Sequence, residues 1–300
     1  MQQTLFVSQL TKPNKREGAK LKVVSFVNMK GGVAKTTLSV NFADCISRRH
    51  DLKVLLIDID PQFNATQCLL SGDEYKEKRE KYFHTIVDIF DDSPRPIPDS
   101  VNGVSMSEPL DIENIKPWQI NDRFFILPGA LELHRLDMAG GQGRENRLKI
   151  YTEHLRQNKE FDVIVIDTPP TPSAWMSAAL IASDYYIVPV KPEPLSATGI
   201  DLLKSIINMI KKNYSLKLKC AGVVLTIAEK HTIVFDDAIE FIDNNKFWKG
   251  KRLKRHLPKR TIVARKQGEQ GLILDINDDE LKLSLAMITN EIVDRIKLEN

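Results

Sequence analysis

Short apolar runs alternate with stretches of helical periodicity along most of the chain. Several runs end in polar or charged residues, as in LKVVSFV (21–27), KVLLIDID (53–60) and FDVIVIDTPP (161–170). Continuous apolar runs of this kind are typical of strands buried on both faces, as in a parallel sheet. Their alternation with helical patterns predicts an α/β fold in which helices cover both faces of a mostly parallel, twisted sheet.

Two regions depart from this alternation. Residues 1–20 are polar and are predicted to form a flexible tail, and residues 93–117 collect prolines and are predicted to form an irregular surface excursion. With 300 residues, of which 42% are hydrophobic, the chain can build one large α/β domain. We therefore predict a single domain over residues 21–300.

The first apolar run is followed by KGGVAKTT, residues Lys30 to Thr37, and then by a helical pattern. A strand, a glycine-rich turn and a helix N-terminus together favour phosphate binding, because backbone N–H groups converge there. Lys35 is predicted to lie along the β- and γ-phosphates of a nucleotide, and the Thr36 hydroxyl to bind magnesium. A lysine-rich turn without ligand is the alternative. The loop consists of Lys30, Gly31, Gly32, Val33, Ala34, Lys35, Thr36 and Thr37.

Aspartates stand at the ends of two further apolar runs, those within residues 53–60 and 161–170. Asp58 and Asp60 occupy alternate positions, so they are predicted to point to one side, and Asp167 ends the third run. The carboxyl ends of parallel strands meet at one edge of a sheet, where ligands of such folds bind. We therefore predict that Asp60 and Asp167 lie beside the phosphate loop. Solvation of a strand end or helix capping is the alternative.

These segments resemble the ParA/MinD family of ATPases. KGGVAKTT resembles the family's deviant Walker A motif, [KR]GGxxK[ST], although it departs from the strict GxxxxGK[ST] spacing at Met29 and Ala34. DIDPQFNAT resembles the family's DxDPQxNAT segment, with Phe63 where glycine is common, and FDVIVIDTPP resembles a Walker B strand. The resemblance extends over roughly residues 21–296, which implies a P-loop NTPase fold.

The resemblance implies a function as well as a fold. It implies that two subunits enclose two ATP molecules with Mg²⁺, and that Lys30 of each subunit reaches the nucleotide of the other. It implies that Asp60 orients the attacking water, that Lys35 and Lys30 contact the phosphates, and that Thr36, Asp58 and Asp167 surround the metal. It also implies slow ATP hydrolysis, stimulated by a ParB-like protein or an adaptor with a basic tail.

Positive charge is concentrated near the carboxyl end of the chain. Residues 249–266 contain nine lysines and arginines and no acid, whereas the formal net charge of the whole chain is only +3. Such a patch predicts a polyanionic partner, and the phosphates of double-stranded DNA fit it. The family resemblance implies non-specific DNA binding by the ATP-bound dimer. A solvated charged loop is the alternative, and the chosen candidates are Lys259, Arg260, Arg265 and Lys266.

Other features bear on the cellular setting. The three cysteines show no CxxC pair, which favours a reducing cytoplasm and speaks against an iron–sulfur relative. No apolar stretch has the length of a membrane span, and the final helix, 280–298, is predicted to pack on the domain through Leu281, Leu285, Ile288, Ile292 and Ile296. We therefore predict a cytoplasmic, nucleoid-associated protein without stable membrane association.

Three alternatives share parts of this pattern. A MinD-like positioning ATPase would use the final helix to bind a membrane surface. A biosynthetic enzyme on the same fold, such as a dethiobiotin synthetase relative, would phosphorylate a small acid. A structural DNA-binding protein with an inactive nucleotide site would bind DNA in the same way with any nucleotide.

Overall fold

The computed structural model describes residues 20–82, 84–91, 96–99, 103–106, 110–139, 143–194 and 196–298. The predicted N-terminal tail lies outside these ranges apart from Lys20, and the predicted excursion lies partly outside them. The strands within these ranges are β1 (Lys22–Phe26), β2 (Val54–Asp58), β3 (Pro96–Asp99), β4 (Gly103–Met106), β5 (Trp118–Gln119), β6 (Phe124–Leu127), β7 (Val163–Asp167), β8 (Tyr185–Val190) and β9 (Lys219–Leu225).

Helices occupy most of the connections between the strands. They are α1 (Lys35–Arg49), α2 (Asn64–Gln67), α3 (Gly72–Tyr82), α4 (Val87–Phe90), α5 (Leu133–Ala139), α6 (Arg147–Asn158), α7 (Ala174–Ala182), α8 (Ser196–Asn213), α9 (Ile233–Asn244), α10 (Thr261–Gln267) and α11 (Asp279–Ile296). Single turns of 3₁₀-helix lie at Ile112–Asn114, Arg144–Asn146 and Ile273–Asp275.

Seven of the strands form one sheet in the order β5-β6-β2-β7-β1-β8-β9. Neighbouring strands are parallel except for β5, which pairs antiparallel to β6 at the edge. The central strands are buried along their whole length, as their continuous apolar runs predict. The predicted α/β fold with a mostly parallel sheet is confirmed.

Side chains of one strand alternate between two apolar layers. Val54 and Leu56 of β2 join a cluster with α1 and α11, whereas Leu55 and Ile57 join a cluster with α6 and α7. This alternation follows from the two-residue period of a strand. Helices therefore cover both faces of the sheet, and Trp175 of α7 is buried against Phe90 with ring centroids 4.8 Å apart.

The segment predicted to be irregular contains a short ribbon. Strands β3 and β4 pair antiparallel, with Pro96 opposite Met106 and Asp99 opposite Gly103. Pro96 and Pro98 lie two residues apart, so the positions that lack an N–H face the same side of the strand. Proline lacks an N–H and is confined in sheets to edge strands, and both strands of a two-stranded ribbon are edges.

The last helix packs on the sheet as predicted. The apolar stripe of α11 is fully buried, with Leu281, Leu285, Ile288, Ile292 and Ile296 each 0% exposed. Asp278 caps the helix by accepting a hydrogen bond from Leu281 N at 2.9 Å. Among the residues the structure describes, no helix is both long enough and apolar enough to cross a bilayer.

Candidate nucleotide-binding site

The loop between β1 and α1 has the backbone shape of an anion cradle. Gly32 has φ +71° and Ala34 has φ +57°, and α1 begins at the next residue, Lys35. A Cβ added to Gly31 or Gly32 would meet no atom within 4 Å, so Gly32 is required by its conformation and not by packing. The loop therefore offers open space in front of the free N–H groups of a helix N-terminus.

Asp167 is held by two hydroxyl groups of α1. Thr36 Oγ1 donates to Asp167 Oδ2 at 2.7 Å, and Ser39 Oγ donates to Asp167 Oδ1 at 2.9 Å. Burial raises the pKa of Asp167, while the positive charge of Lys35 and both hydroxyl bonds act in the opposite direction. Lys35 is itself 7% exposed. The structure thus brings Lys35, Thr36 and Asp167 together, as the sequence predicts.

Asp58 lies beside Asp167 because β2 and β7 pair with these two residues in register. Asp58 Oδ2 accepts hydrogen bonds from Thr66 N at 2.8 Å and from Thr66 Oγ1 at 2.7 Å. Thr66 Oγ1 in turn accepts from Gly129 N at 2.9 Å. Burial and the neighbouring Asp167 charge raise the pKa of Asp58 to about 8. Asp58 therefore fixes the turn that carries Asp60.

Asp60 follows β2 in a tight, buried turn. Its Oδ1 accepts from Gln62 N at 3.0 Å, and the residue is 3% exposed. Phe63 has φ +42° and lies against Gly129, where an added Cβ would approach the Phe63 Cβ to 2.5 Å. Phe63 stands where the ParA/MinD family commonly has glycine. Gly129, just after the end of β6, leaves the space that this bulky side chain needs.

Lys30 is held within its own subunit by a residue that the sequence did not single out. Its Nζ bonds to the Glu193 carboxylate, which also pairs with Lys191. Hydrogen bonds from Lys191 and Lys30 hold the pKa of Glu193 below its usual value. The Lys30 side chain is 37% exposed. Glu193 lies 163 residues away in the chain, so no local pattern could have identified it.

The end of β9 adjoins the phosphate loop. Thr226 Oγ1 donates to the Val33 carbonyl at 2.7 Å. Ala228 pairs with Pro258, which places the middle of the basic segment next to this strand end. A cleft of about 470 Å³ lies there, lined in part by Glu229, Lys230 and His256.

The four candidate DNA-binding residues differ in their surroundings. Lys259 pairs with Glu229 at 2.6 Å, Arg260 with Asp278 at 2.8 Å and Glu280 at 2.6 Å, and Lys266 with Glu269 at 2.7 Å. Arg265 is exposed and has no ion pair within the described ranges. The acids come from outside the basic run, so the charge excess seen in the sequence is partly neutralised in the fold.

Metal ligands of other kinds are not clustered. Within the parts of the chain that the structure describes, no group of three or more histidine, cysteine, aspartate or glutamate side chains is placed to hold a metal ion. Magnesium at nucleotide sites needs only one or two protein oxygens, because phosphates and water supply the others. The Thr36 hydroxyl and the Asp167 carboxylate fit that requirement.

Comparison with known proteins agrees with this geometry. A family model described as an AAA domain matches residues 21–220. The sporulation initiation inhibitor protein Soj of Bacillus subtilis (strain 168) is 30% identical over 245 residues, covering 81% of this chain and 86% of that protein. The chain belongs to the ParA/MinD family of ATPases. The match of this ParA-family chain to Soj spans most of both proteins.

Solved structures share the fold of this ParA-family chain. A putative plasmid partition protein from Borrelia burgdorferi B31, bound to AMPPNP, superposes with a TM-score of 0.69 at 21% identity and covers 94% of this chain and 100% of that one. Cobyrinic acid a,c-diamide synthase from Mycobacterium smegmatis, with a bound ATP analogue and magnesium, superposes with a TM-score of 0.67 at 20% identity and covers 92% and 96%. Both similarities show the P-loop NTPase fold alone.

Proposed function

We propose that the chain is a partition or cargo-positioning ATPase whose affinity for DNA depends on bound ATP. The observation that carries this proposal is the group formed by buried Lys35 and Asp167 and half-buried Thr36 at the ends of β1 and β7. The Soj and plasmid partition relatives support the cellular role, and the AMPPNP-bound neighbour supports the nucleotide.

In this proposal the phosphate loop binds ATP through the N-terminus of α1 and through Lys35. Thr36 and Asp167 hold magnesium, with Asp58 next to them. When bound, the metal neutralises charge on the β- and γ-phosphates. Since both oxygens of Asp58 already accept hydrogen bonds, from Asp60 N and from Thr66, its contribution is to hold the turn that carries Asp60 in place. Asp60 orients the attacking water.

Dimer formation uses Lys30 in trans. In the single subunit Lys30 is paired with Glu193, and the pair is partly exposed to solvent. A solvent-exposed ion pair is worth about 1 kcal/mol or less, so a phosphate of the partner's nucleotide can displace the carboxylate. Lys30 and Lys35 then stabilise the charge that develops on the transferring phosphoryl group.

The closed dimer places two basic segments on one assembly. Each subunit brings Lys259, Arg260, Arg265 and Lys266. DNA phosphates can replace the acidic partners of Lys259, Arg260 and Lys266, because these ion pairs lie at the surface. Doubling the phosphate contacts steepens both the affinity and its salt dependence. Hydrolysis reverses the effect, and a ParB-like or adaptor protein accelerates it, which gives a cytoplasmic, nucleoid-bound switch.

The test is DNA affinity measured against salt concentration with ATP, with ADP and without nucleotide. The proposal expects binding at least about tenfold tighter with ATP, with a steeper dependence on salt because more counterions are released. Lys35→Ala is the control, because it should behave with ATP as the wild type does without nucleotide. Equal binding and equal slopes in all three states would instead identify a structural DNA-binding protein.

A specific observation supports one alternative, a biosynthetic enzyme on the same fold. The cobyrinic acid a,c-diamide synthase neighbour shares the fold, so turnover that depends on a small carboxylic acid would favour a biosynthetic enzyme. A panel of small acids in the ATP hydrolysis assay decides the point. Sedimentation with anionic vesicles decides against a MinD-like role if the protein stays in the supernatant with ATP.

A further inference from the structure

The residues that directly follow the basic segment are attached to one face of the phosphate-loop helix, α1. Thr37 Oγ1 donates to Gln267 Oε1 at 3.0 Å, Asn41 Oδ1 accepts from Ile273 N at 2.7 Å, and Arg48 pairs with Asp275 at 2.7 Å. Residues four and seven apart lie on the same side of a helix. Any shift of α1 is therefore passed to the segment that follows α10.

Gln267 uses both ends of its amide. While its Oε1 accepts from Thr37, its Nε2 donates to Cys68 Sγ at 3.5 Å. Cys68 follows α2 in the segment that starts at Asp60, and the neighbouring Gln267–Gln270 turn makes a second contact, from Gln270 Nε2 to the Gln67 carbonyl at 3.3 Å. One side chain thus bridges the phosphate loop and the Asp60 segment.

The bridge spans open space. A cleft of about 600 Å³ separates α2 and the start of α3 from residues 267–270, and Phe63, Gln67, Cys68 and Gln267 line it. Two hydrogen bonds cross it, from Gln267 Nε2 to Cys68 Sγ and from Gln270 Nε2 to the Gln67 carbonyl. Such contacts can be broken and remade without opening the core, as a switching element requires.

We propose that Gln267 is a positioning residue that couples the nucleotide state to DNA affinity. Gln267 accepts a hydrogen bond from Thr37, which is next to the predicted magnesium ligand Thr36. Lys266 and Arg265 directly precede Gln267 in the chain. A change at Thr37 removes or moves the donor to Gln267, and a change in the Asp60 segment removes or moves its acceptor, Cys68. Either change re-aims the last turn of α10. The inference rests on the proposed function, because it names how the nucleotide reaches the basic segment.

The test compares Gln267→Leu with wild type and with Gln119→Leu, a control glutamine exposed on the edge strand β5. Leucine keeps the approximate size and removes both hydrogen bonds. The readouts are the ratio of DNA dissociation constants with ADP and with ATP, the ATP dissociation constant with and without DNA, and the melting temperature. Coupling is reciprocal, so both ligand measurements must change together.

For Gln267→Leu, we expect the ratio of the DNA dissociation constant with ADP to that with ATP to fall at least about fivefold towards one. Its ATP affinity in the absence of DNA should stay within about threefold of wild type. Gln119→Leu should keep the wild-type ratio. A Gln267→Leu protein that keeps the ratio overturns the inference, as does one that weakens DNA binding equally with both nucleotides. If the ratio is already one in wild type, so that DNA binds equally well with ADP and with ATP, the proposed function fails instead.

Cys68→Ala provides a second test should Gln267→Leu not fold. It removes only the sulfur acceptor, so the amide keeps its bond to Thr37 and loses its link to the Asp60 segment. The inference expects a smaller fall in the ADP-to-ATP ratio with unchanged ATP affinity. An unchanged ratio in Cys68→Ala would overturn the proposed link through that segment.

Discussion

The carboxyl edge of the sheet and the basic segment 249–266 both concentrate charge, but they hold it differently. At the sheet edge, Asp58, Asp60 and Asp167 are almost fully buried, and each accepts hydrogen bonds from nearby loops and helices. In the basic segment, Lys259 and Lys266 are at least 39% exposed and pair with acids from other segments. The first region is built for fixed geometry, and the second for exchange of partners.

The energetic consequences differ accordingly. Removing a buried, hydrogen-bonded charge leaves its partners unsatisfied and is costly, whereas an exposed ion pair contributes at most about 1 kcal/mol. Substitutions at the sheet edge should therefore affect catalysis strongly. Substitutions in the basic segment should affect partner affinity and leave folding unchanged.

The largest effect is expected at Asp60. Asp60→Ala should lower ATP turnover about 100-fold or more, because the water loses its positioning group, while the ATP-bound dimer still forms. Phosphate release and light scattering measure the two quantities. Asp51→Ala, which removes an exposed aspartate paired with Arg123, is the control and should turn over normally. Normal turnover in Asp60→Ala would remove Asp60 from the mechanism.

The next effect tests the basic segment. Replacing Arg265 and Lys266 with alanine should weaken ATP-dependent DNA binding about 30-fold or more and reduce the salt slope by about three to four, because two phosphate contacts per subunit, four per dimer, disappear. Lys211 and Lys212 occupy the last turn of α8 as Arg265 and Lys266 occupy that of α10. The Lys211→Ala, Lys212→Ala protein is therefore a matched control, and an equal loss in both would show that only net charge matters.

Ser39 tests whether the sheet edge depends on its supporting bonds. Ser39→Ala removes the hydroxyl on Asp167 Oδ1 and should raise the magnesium concentration for half-maximal hydrolysis about tenfold. Ser47→Ala is the control, because Ser47 lies on the same helix and donates to the Asp44 backbone carbonyl. A magnesium requirement that is the same in both variants would contradict this positioning role.

The smallest effect concerns Asp44, a buried residue of α1. Burial raises its pKa to about 6, with Arg48 opposing the shift. A carboxyl whose pKa is higher in the folded state stabilises the fold below its unfolded pKa, and this contribution is lost as the pH rises through the folded pKa. Between pH 5 and pH 6, wild type should lose about 1 kcal/mol of unfolding free energy relative to Asp44→Asn.

Urea titrations at the two pH values measure this difference in unfolding free energy. Asp51→Asn is the control, because Asp51 is exposed and its substitution should leave the pH dependence as it is in wild type. If Asp44→Asn shows the same pH dependence as wild type, the pKa of Asp44 is not raised in the folded protein.

Local patterns were sufficient to predict the strands that position the site. The runs that became β1, β2 and β7 are mainly apolar, and the site residues Asp58 and Asp167 are the last residues of β2 and β7. Ser39 could also have been found, because it lies three residues after Thr36 and therefore on the same face of a predicted helix. The sequence carries the information whenever the partners lie on one element.

Long-range contacts left no such signal. Glu193 reaches Lys30 and Gln267 reaches Thr37 only through the fold, across 163 and 230 residues. The acids that pair with Lys259 and Arg260 also come from other elements. The run of lysines and arginines therefore predicted a positively charged patch but not its partial neutralisation by acids from other elements. The prolines of residues 93–117 predicted an irregular loop, whereas β3 and β4 form a ribbon there.

The most direct test of the central claim mixes two inactive variants. Lys30→Ala lacks the lysine offered to the partner, and Asp60→Ala lacks only the group that orients water. If Lys30 acts in trans, a mixed dimer has one complete site, and an equimolar mixture should recover up to about one quarter of wild-type hydrolysis with random pairing. If the mixture hydrolyses ATP no faster than the separate variants at every ratio, Lys30 does not serve the other subunit.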